Sequence, residues 1–361
     1  MSSVDSLVAR RAEDGARPRM GAFRADRAAE LATVIIPARN EERSIGRCLE
    51  SLLSQDHDAL QIVVVDSSSQ DRTRDVVRSY AGVDPRVELV SSPGSTIPAA
   101  LNAGLRAARG RWLIRIDAHS VVPTNYVGIC VHRLSTGHWA AVGGRKHGVG
   151  HSPAGRAIAA ALGSRFGVGN SFYHYGVEER TVDHVPFGAY PTALLRSVGG
   201  WNESVLANED FELDYRLRQG GHELLFDPAL TIEWQSRQTI RELFDQYRRY
   251  GRGKASVVRL HPRSIGVRHV AAPALVAALG GSAIALPFRS SVALVSVAPY
   301  SAAIVAATAA VVARERDPEA APWVPAAFVA MHIGWGVGFW EGMVRQLAAR
   351  YAPPTMRRAE A

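Results

Sequence analysis

Short β-branched segments alternate with helix-patterned segments up to residue 117, and this alternation constrains the fold more than any other feature. The segments at 31–36, 61–65, 87–90 and 112–116 are rich in Val, Ile and Leu. Between them, apolar residues recur at helical spacing. Strands that alternate with helices imply parallel βαβ units around one sheet. We therefore predict an α/β fold with a mainly parallel sheet.

Acidic residues stand at the ends of two predicted strands. Asp66 follows the second apolar segment and Asp117 follows the fourth. Ligands of open α/β sheets bind outside the carboxyl ends of the strands. We predict that both aspartates face a ligand; the alternative for Asp66 is a turn-capping role, which is common at such positions.

The segment that follows lacks clear periodicity, and we interpret two stretches, 142–150 and 163–169, as glycine-rich loops shaped around a ligand. A helix is predicted between Gly199 and Gly221, opening near Trp201 and ending at Gly220. His147 and His151 are interpreted as loop histidines. Residues 1–30 show no apolar period and are predicted to be a mobile tail.

The last third of the chain points to a membrane. From Thr239, apolar residues follow helical spacing and basic residues cover the rest of the surface, which is typical of an amphipathic helix on an anionic membrane. Three charge-free stretches follow, at 270–288, 290–313 and 320–340, and each reaches the roughly 20 residues that cross a bilayer. Two spans and three spans both remain open, as do buried helices of a soluble domain.

These features divide the chain into five parts. They are a tail at 1–30, an α/β domain at 31–238, a basic interface region at 239–268, a hydrophobic membrane region at 269–345 and a basic tail at 346–361. Arginines before the first apolar stretch and after the second place those ends in the cytoplasm by the positive-inside rule. We predict a cytoplasmic-membrane protein whose α/β domain faces the cytosol.

Composition and motifs exclude several classes of protein. The net charge of +8 favours anionic partners, and two cysteines are too few for a disulfide framework. The sequence has neither a G-x-x-x-x-G-K-[ST] loop nor a G-x-G-x-x-G turn after a strand. A basic surface interleaved with aromatic residues is also missing, so we do not expect nucleic acid as a partner.

Five polar motifs occur in order along residues 31–255. They are Pro37-Ala38-Arg39-Asn40-Glu41-Glu42, the segment from Val65 to Thr73, Ala100-Leu101-Asn102-Ala103-Gly104, Asp117-Ala118-His119 and Asn208-Glu209-Asp210. Together they resemble an inverting family 2 glycosyltransferase of the GT-A fold. The resemblance is closest to membrane-bound glycosyltransferases of succinoglycan-type exopolysaccharide synthesis.

The resemblance implies a nucleotide pocket made by Pro37, Ala38, Arg39, Glu41, Asp66, Asn102 and Asp117. Ser67 departs from the family, which usually has a second aspartate there. Asp117 and His119 stand where the family has Asp-x-Asp, which binds the diphosphate through a divalent cation, here Mn or Mg. His119 is alternatively a phosphate or sugar ligand, or a loop histidine without a function.

The same resemblance makes Asp210 the catalytic base, with Glu209 setting loop geometry or holding a sugar hydroxyl. Two acids at a helix start also suit a solvated first turn, because they favour the helix dipole. Gln246, Arg249 and Tyr250 resemble a Gln-x-x-Arg-Trp motif that meets the acceptor or diphosphate, with Tyr250 in place of tryptophan. The alternative is a helix that only lies on lipid.

The leading hypothesis is therefore transfer of a hexose from a nucleotide sugar, expected to be UDP-linked, to a lipid-linked glycan in polysaccharide biosynthesis. One alternative is transfer to a polyprenyl phosphate, as in dolichyl-phosphate mannose synthases. That acceptor is already ionised and needs no strong base. Another is a non-catalytic membrane scaffold that senses nucleotide.

Overall fold

The computed structural model describes residues 30–92, 94–287 and 290–351. The predicted tail at 1–30 lies outside these residues except for Glu30, and the predicted basic tail at 346–361 lies outside them from residue 352. The chain forms two compact units. The first contains the residues up to Lys146 together with Gly176–Ser204 and Glu209–Trp234. The second contains His147–Tyr175, Val205–Asn208 and the chain from Gln235 onward.

The first unit is built on a sheet whose opening half is parallel. Four strands lie in the order β3-β2-β1-β4, namely β1 (Ala32–Ala38), β2 (Leu60–Asp66), β3 (Val87–Ser91) and β4 (Trp112–Arg115). The helices between them are α1 (Ile45–Leu53), α2 (Thr73–Ala81) and α3 (Ile97–Ala107). Every residue of β2 is buried, as a central strand with helices on both faces requires. The predicted α/β fold class is confirmed.

The second half of the sheet was not foreseen from the sequence. It adds β5 (Ser120–Val121), β6 (Ala141–Val149), β7 (Arg180–Val182), β8 (Ala189–Pro191) and β9 (Leu224–Gln235). The order continues from β4 through β8, β6 and β9 to β5, with β7 also paired to β9. Strand β8 runs antiparallel to β4 and to β6, and β5 and β7 run antiparallel to β9.

The prediction of a loop at 142–150 was wrong, because most of that stretch is strand β6. Two of its glycines, Gly143 and Gly144, serve close packing and not turning. A Cβ added at Gly144 would lie 1.7 Å from the carbonyl oxygen of Leu230, and one at Gly143 would lie 2.7 Å from Cβ of Val185. Glycine therefore marks a place where two backbone segments approach closely.

Between residues 126 and 219 the chain forms five α-helices, of which α5 and α6 belong to the second unit: α4 (Tyr126–Thr136), α5 (Pro153–Leu162), α6 (Arg165–Val168), α7 (Thr192–Ser197) and α8 (Glu209–Gln219). The predicted loop at 163–169 contains α6, so that prediction was only partly right. The helix predicted between Gly199 and Gly221 begins at Glu209, eight residues after Trp201. The intervening residues form a loop that starts at two glycines with left-handed backbone, Gly199 (φ 82°) and Gly200 (φ 69°).

The second unit ends in four long helices, α9 (Ile240–Leu260), α10 (Val267–Ala285), α11 (Ser290–Glu315) and α12 (Val324–Tyr351). A capping box at Thr239 and Glu242 starts α9, which confirms the predicted amphipathic helix. Glycines of α12 let it pack closely on α9. A Cβ at Gly338 would lie 1.9 Å from the carbonyl oxygen of Arg248, and one at Gly334 would lie 2.8 Å from that of Phe244.

Two helices of the described chain are long and apolar enough to cross a membrane, over Val267–Ala285 and Val297–Glu315. Only 17% and 11% of their most apolar windows are buried, unlike the core helix of a soluble domain. The third predicted stretch falls mainly in α12, where Ala327, Phe328 and Met331 are completely buried. By length and composition the described helices thus offer two candidate spans, not three.

Candidate active site

The loops that follow β1 and β2 are tied together by reciprocal hydrogen bonds. The backbone N–H of Asn40 donates to Oγ of Ser69 at 3.0 Å, and the N–H of Gln70 donates to Oδ1 of Asn40 at 2.9 Å. The N–H of Glu41 donates to Oγ1 of Thr73 at 2.7 Å. Asn40 has a left-handed backbone with φ of 56°. These bonds fix the two loops as one rigid edge at the carboxyl ends of the strands.

Asp66 ends β2 inside this edge. It pairs with Ala38 across the parallel strands, so the predicted pocket residues Pro37, Ala38 and Asp66 lie side by side. The Asp66 carboxylate accepts the N–H of Ser69 at 3.3 Å and lies 3.6 Å from Nε of Arg74. The turn-capping interpretation is therefore observed, and the short turn holds the carboxylate at the strand end.

Arg39 and Glu41 differ in exposure. Arg39 is exposed, whereas Glu41 is half-buried and accepts a hydrogen bond from the Ser44 hydroxyl at 2.5 Å. The first loop thus presents one carboxylate held in place and one guanidinium open to solvent.

A buried arginine that sequence reasoning missed joins the acidic residues of two motifs. From the end of β4, the Arg115 guanidinium contacts Oδ1 of Asp117 at 3.1 Å and Oε1 of Glu209 at 3.0 Å. The same group lies 2.5 Å from Oδ1 of Asp210. Asp117 and the Glu209-Asp210 pair, more than 90 residues apart in sequence, therefore meet on one cation.

The electrostatics of this cluster follow from burial and opposed charge. Burial lowers the pKa of Arg115, but Asp210, Asp117 and Glu209 raise it well above the ordinary value, so the guanidinium stays charged. Burial raises the pKa of Asp117, yet its interactions with Arg115, His119 and Lys146 lower it below the usual range overall. Asp117 is therefore a permanent anion at neutral pH.

Glu209 behaves differently from Asp117. Burial raises its pKa, Arg115 lowers it, and the neighbouring charge of Asp210 raises it again, so the pKa lies above the ordinary value. Both acids are buried at the first turn of α8, which excludes the solvated first turn considered from the sequence.

Asp210 has a second hydrogen-bond donor besides Arg115. The indole N–H of Trp201, whose side chain is almost completely buried, donates to Oδ1 of Asp210 at 3.0 Å. Asn102 holds Trp201 in turn, because its Oδ1 accepts the backbone N–H of Trp201 at 2.9 Å and its Nδ2 donates to the Trp201 carbonyl at 2.8 Å. Asn102 is thus joined to Asp210 through Trp201.

Both ring nitrogens of His119 are engaged. The indole N–H of Trp234 donates to Nε2 at 2.8 Å, so Nε2 is the unprotonated acceptor and Nδ1 carries the proton of a neutral imidazole. Nδ1 lies 3.2 Å from Oε1 of Glu41 and donates to it. His119 therefore links the first loop to β9, and a bond from His119 to a metal ion would require it to give up one of these contacts.

A divalent cation would find few protein ligands in this donor set. Among residues 30–92, 94–287 and 290–351, no group of three or more His, Cys, Asp or Glu side chains is arranged to hold a metal ion. Mg²⁺ and similar hard cations are nevertheless often held by one or two carboxylates together with substrate phosphates. Asp117, ionised and partly exposed, fits that mode.

The residues predicted to meet the acceptor lie on α9 in the second unit. Nε2 of Gln246 donates to the hydroxyl of Tyr250 at 3.0 Å, one helical turn away. The carbonyl of Tyr250 accepts from Nδ2 of Asn208 at 2.9 Å, and Arg249 is exposed. Their role toward an acceptor or a diphosphate stays a prediction.

Two further side chains of the site were missed from the sequence, Lys146 on β6 and Trp234 on β9. Nζ of Lys146 lies 3.7 Å from the centroid of the Trp234 ring. The sequence does contain a signal for Arg115, which is a charged residue inside an apolar strand. Because it stands two positions before Asp117, the two side chains point to the same side of the strand. Lys146 and Trp234 could not be found in this way, because the sequence pattern does not predict β6 and β9 as strands.

The chain matches a known protein family. The model of the glycosyl transferase family 2 matches residues 33–195. The chain is 31% identical over 315 residues to the succinoglycan biosynthesis protein ExoA of Rhizobium meliloti (strain 1021), covering 86% of this chain and 94% of that protein.

A second relative, from Methanococcus voltae, is the dolichyl N-acetyl-α-D-glucosaminyl phosphate 3-β-D-2,3-diacetamido-2,3-dideoxy-β-D-glucuronosyltransferase. It is 23% identical over 63% of this chain and 74% of its own length.

Among solved structures, the mannosyltransferase PcManGT from Pyrobaculum calidifontis, in complex with GDP-Man and Mn²⁺, has the same fold. Its TM-score is 0.56 at 21% identity, over 92% of this chain and 94% of that one. Because the match to ExoA extends over nearly the whole of both chains, this chain belongs to glycosyl transferase family 2 and is a glycosyltransferase.

Proposed function

We propose that this glycosyltransferase moves a hexose, with inversion, from a nucleotide sugar to a lipid-linked glycan acceptor during polysaccharide biosynthesis. The observation that carries the proposal is the meeting of Asp117, Glu209 and Asp210 on the guanidinium of Arg115. It supports a single site in which Asp117 would face the leaving diphosphate and Asp210 would accept the proton of the attacking hydroxyl. The name of the ExoA relative supports the polysaccharide context.

The donor half of the site is assigned to the strand ends. Asp66 and the loop of Pro37, Ala38, Arg39 and Glu41 would bind the nucleoside, for which we propose uridine. Asp117 would face the diphosphate. The rigid hydrogen-bonded edge formed by the first two loops supports this assignment, because a preformed pocket loses little freedom on binding.

The transfer itself needs a base and an in-line attack. The acceptor hydroxyl oxygen attacks the anomeric carbon, the bond from that carbon to the phosphate oxygen breaks, and the nucleoside diphosphate leaves with the electron pair. The carboxylate of Asp210 accepts the hydroxyl proton. Trp201 and Arg115 hold that carboxylate in one orientation, which positions it for this step.

A divalent cation, Mn²⁺ or Mg²⁺, is part of the proposal, and Asp117 would hold it together with the diphosphate. Such an ion supplies positive charge against the diphosphate as the glycosidic bond breaks. Arg115 and Lys146 add fixed positive charge next to Asp117. The Pyrobaculum structure, which has this fold, contains Mn²⁺ with GDP-Man.

A lipid carrier for the acceptor is supported by two observations. Two helices are apolar and long enough to cross a bilayer, and they follow the basic helix α9 in the chain. The name of the Methanococcus relative includes a dolichyl-linked sugar phosphate. We propose that the chain is anchored in the cytoplasmic membrane with the catalytic unit in the cytosol, and that Gln246, Arg249 and Tyr250 serve the acceptor side.

The test uses the full chain in detergent with Mn²⁺, a panel of UDP-hexoses and a lipid-linked acceptor extract, and it measures release of UDP. Wild-type protein should release UDP only when the acceptor is added. The variant Asp210→Asn should lose activity by about 10²- to 10⁴-fold, the range of general-base catalysis. Asp75→Asn is the matched control, because Asp75 pairs with Arg78 on the exposed surface of α2.

The same experiment separates the alternatives. Full activity of Asp210→Asn on a polyprenyl phosphate would replace glycan extension by transfer to that ionised acceptor. Binding of UDP without turnover on any acceptor would leave a nucleotide-sensing scaffold. Absence of UDP binding by the wild-type protein would overturn the proposal.

A further inference from the structure

Lys146 lies on an aromatic platform beside the proposed diphosphate site. Its Nζ is 3.7 Å from the centroid of the Trp234 ring and 4.9 Å from that of the Phe187 ring. An aromatic face attracts an ammonium group and orients it without cancelling its charge. Lys146 is only half-buried, so its ammonium group is within reach of a ligand.

The platform itself is held rigidly. Trp234 is 5% exposed, pairs with Ser120 across the sheet, and donates its indole N–H to His119. Asp117 and Ala118 lie three and two residues before Ser120, in the turn that leads into its strand. The strand pairing that fixes Trp234 therefore also fixes Lys146 close to the Asp117-Ala118-His119 motif.

Phe187 adds an independent sign of function. Its side chain is buried and its φ is +51°, a left-handed conformation that costs energy for a bulky residue and is common at binding sites. The Arg115 guanidinium carbon lies 5.7 Å from the centroid of the same ring. Phe187 is thus in contact range of two cations, and Lys146 is close enough to Asp117 to act on its carboxylate electrostatically.

We propose that Lys146 binds the diphosphate of the nucleotide sugar and stabilises the negative charge that develops on it as the sugar leaves. This inference rests on the proposed function and adds a binding residue to it. A cation oriented before the reaction toward the place where charge grows lowers the barrier without reorganisation. Lys146 would act beside Asp117, while the nucleoside is held elsewhere, at the loops of β1 and β2.

The separation of the diphosphate site from the nucleoside site can be tested directly, because uridine lacks the diphosphate that Lys146 would bind. Binding of UDP is measured by calorimetry and binding of uridine by ligand-observed NMR, both on the full chain in detergent at fixed Mn²⁺. The variant Lys146→Met should weaken UDP binding about tenfold and leave uridine binding within twofold. Lys146→Arg should keep UDP binding within about threefold, because arginine also stacks on aromatic rings and binds phosphate.

The control is Arg106→Met, which removes one positive charge from the exposed last turn of α3 in the same unit. It should change neither affinity. If Lys146→Met does not fold, Lys146→Gln provides the same comparison with a polar side chain.

Equal weakening of uridine and UDP by Lys146→Met would indicate a structural role and overturn the inference, as would unchanged UDP binding. In both cases the proposed function survives. Failure of the wild-type protein to bind UDP would instead overturn the proposed function, and this inference with it.

Discussion

Nη1 of Arg115 lies 2.5 Å from Oδ1 of Asp210, and both side chains are buried. Burial of an ion pair is costly, since desolvation consumes most of the attraction between the charges. Arg115 also contacts Asp117 and Glu209, so one cation serves three acids. We interpret this arrangement as one retained for its geometry, because it positions the proposed base relative to the proposed diphosphate ligand.

The variant Arg115→Met is expected to destabilise the fold. Removing one partner of a buried ion pair leaves an uncompensated charge and costs about 3–5 kcal/mol. The measurement is thermal or denaturant unfolding of the detergent-purified chain. Arg78→Met, at an exposed pair with Asp75, should change stability by at most about 1 kcal/mol.

The double variant Arg115→Met/Asp210→Asn should be less destabilised than the sum of the single variants, because the second change removes one of the charges left unpaired. Additive effects would mean that the contact between Arg115 and Asp210 does not couple the two residues.

Trp201→Phe tests whether the indole N–H positions Asp210. The substitution keeps the aromatic ring in the core but removes the donor at 3.0 Å from Oδ1 of Asp210. We expect kcat to fall about tenfold while the donor KM stays within twofold, because a misplaced base affects the chemical step.

Trp112→Phe is the matched control for Trp201→Phe. Trp112 is also buried, but its indole N–H has no acceptor within the described part of the chain. Its loss should leave kcat unchanged. Equal kcat values for the two variants would show that the hydrogen bond to Asp210 does not matter for turnover.

The raised pKa of Glu209 predicts a pH dependence of stability. An acid whose folded pKa lies above its unfolded pKa, ordinarily about 4.3, stabilises the fold fully below the unfolded value. This contribution is lost as pH rises through the folded pKa. Wild-type stability should therefore fall relative to Glu209→Gln as pH rises above about 4.3, by at most about 1.4 kcal/mol per pH unit.

The check is the free energy of unfolding of wild type and Glu209→Gln across that pH range. Parallel curves would contradict the raised pKa. The size of the offset at any one pH reports only the changed contact with Arg115, so the test is whether the difference between the two curves changes with pH.

The parallel half of the fold could be predicted because β1 and β2 are mainly apolar on both faces, β2 ends at Asp66, and a polar loop follows β1. The antiparallel half could not, because β7 and β8 have three residues each and β6 contains three glycines. Asp66 and Asp117 were found from sequence because they follow strands, whereas Glu209 and Asp210 were found through the resemblance to family 2 glycosyltransferases. Their convergence depends on Arg115, Trp201 and Trp234, which only the tertiary structure brings to them.

Gly144→Ala tests the reinterpretation of the glycine-rich segment as a strand. The added Cβ would lie 1.7 Å from the Leu230 carbonyl oxygen, so the backbone must move apart. Overpacking of this kind costs about 1–3 kcal/mol or more. Gly148→Ala on the same strand is the control, because its nearest contact would be an ordinary 3.5 Å. Unfolding midpoints of the two variants should differ clearly, and equal midpoints would contradict close packing at Gly144.

Separate substitutions of Asp117 and His119 test which of them serves the divalent cation. Asp117 is an ionised carboxylate, whereas both nitrogens of His119 are used by Glu41 and Trp234. We therefore expect Asp117→Asn to abolish stimulation by Mn²⁺ and His119→Gln to retain it, because the glutamine oxygen can accept the Trp234 N–H. The measurement is UDP release against Mn²⁺ concentration, together with the EPR signal of Mn²⁺ in the presence of UDP. Loss of Mn²⁺ binding in His119→Gln with an intact fold would make the imidazole a metal ligand, and would mean that substrate binding breaks its bond to Trp234.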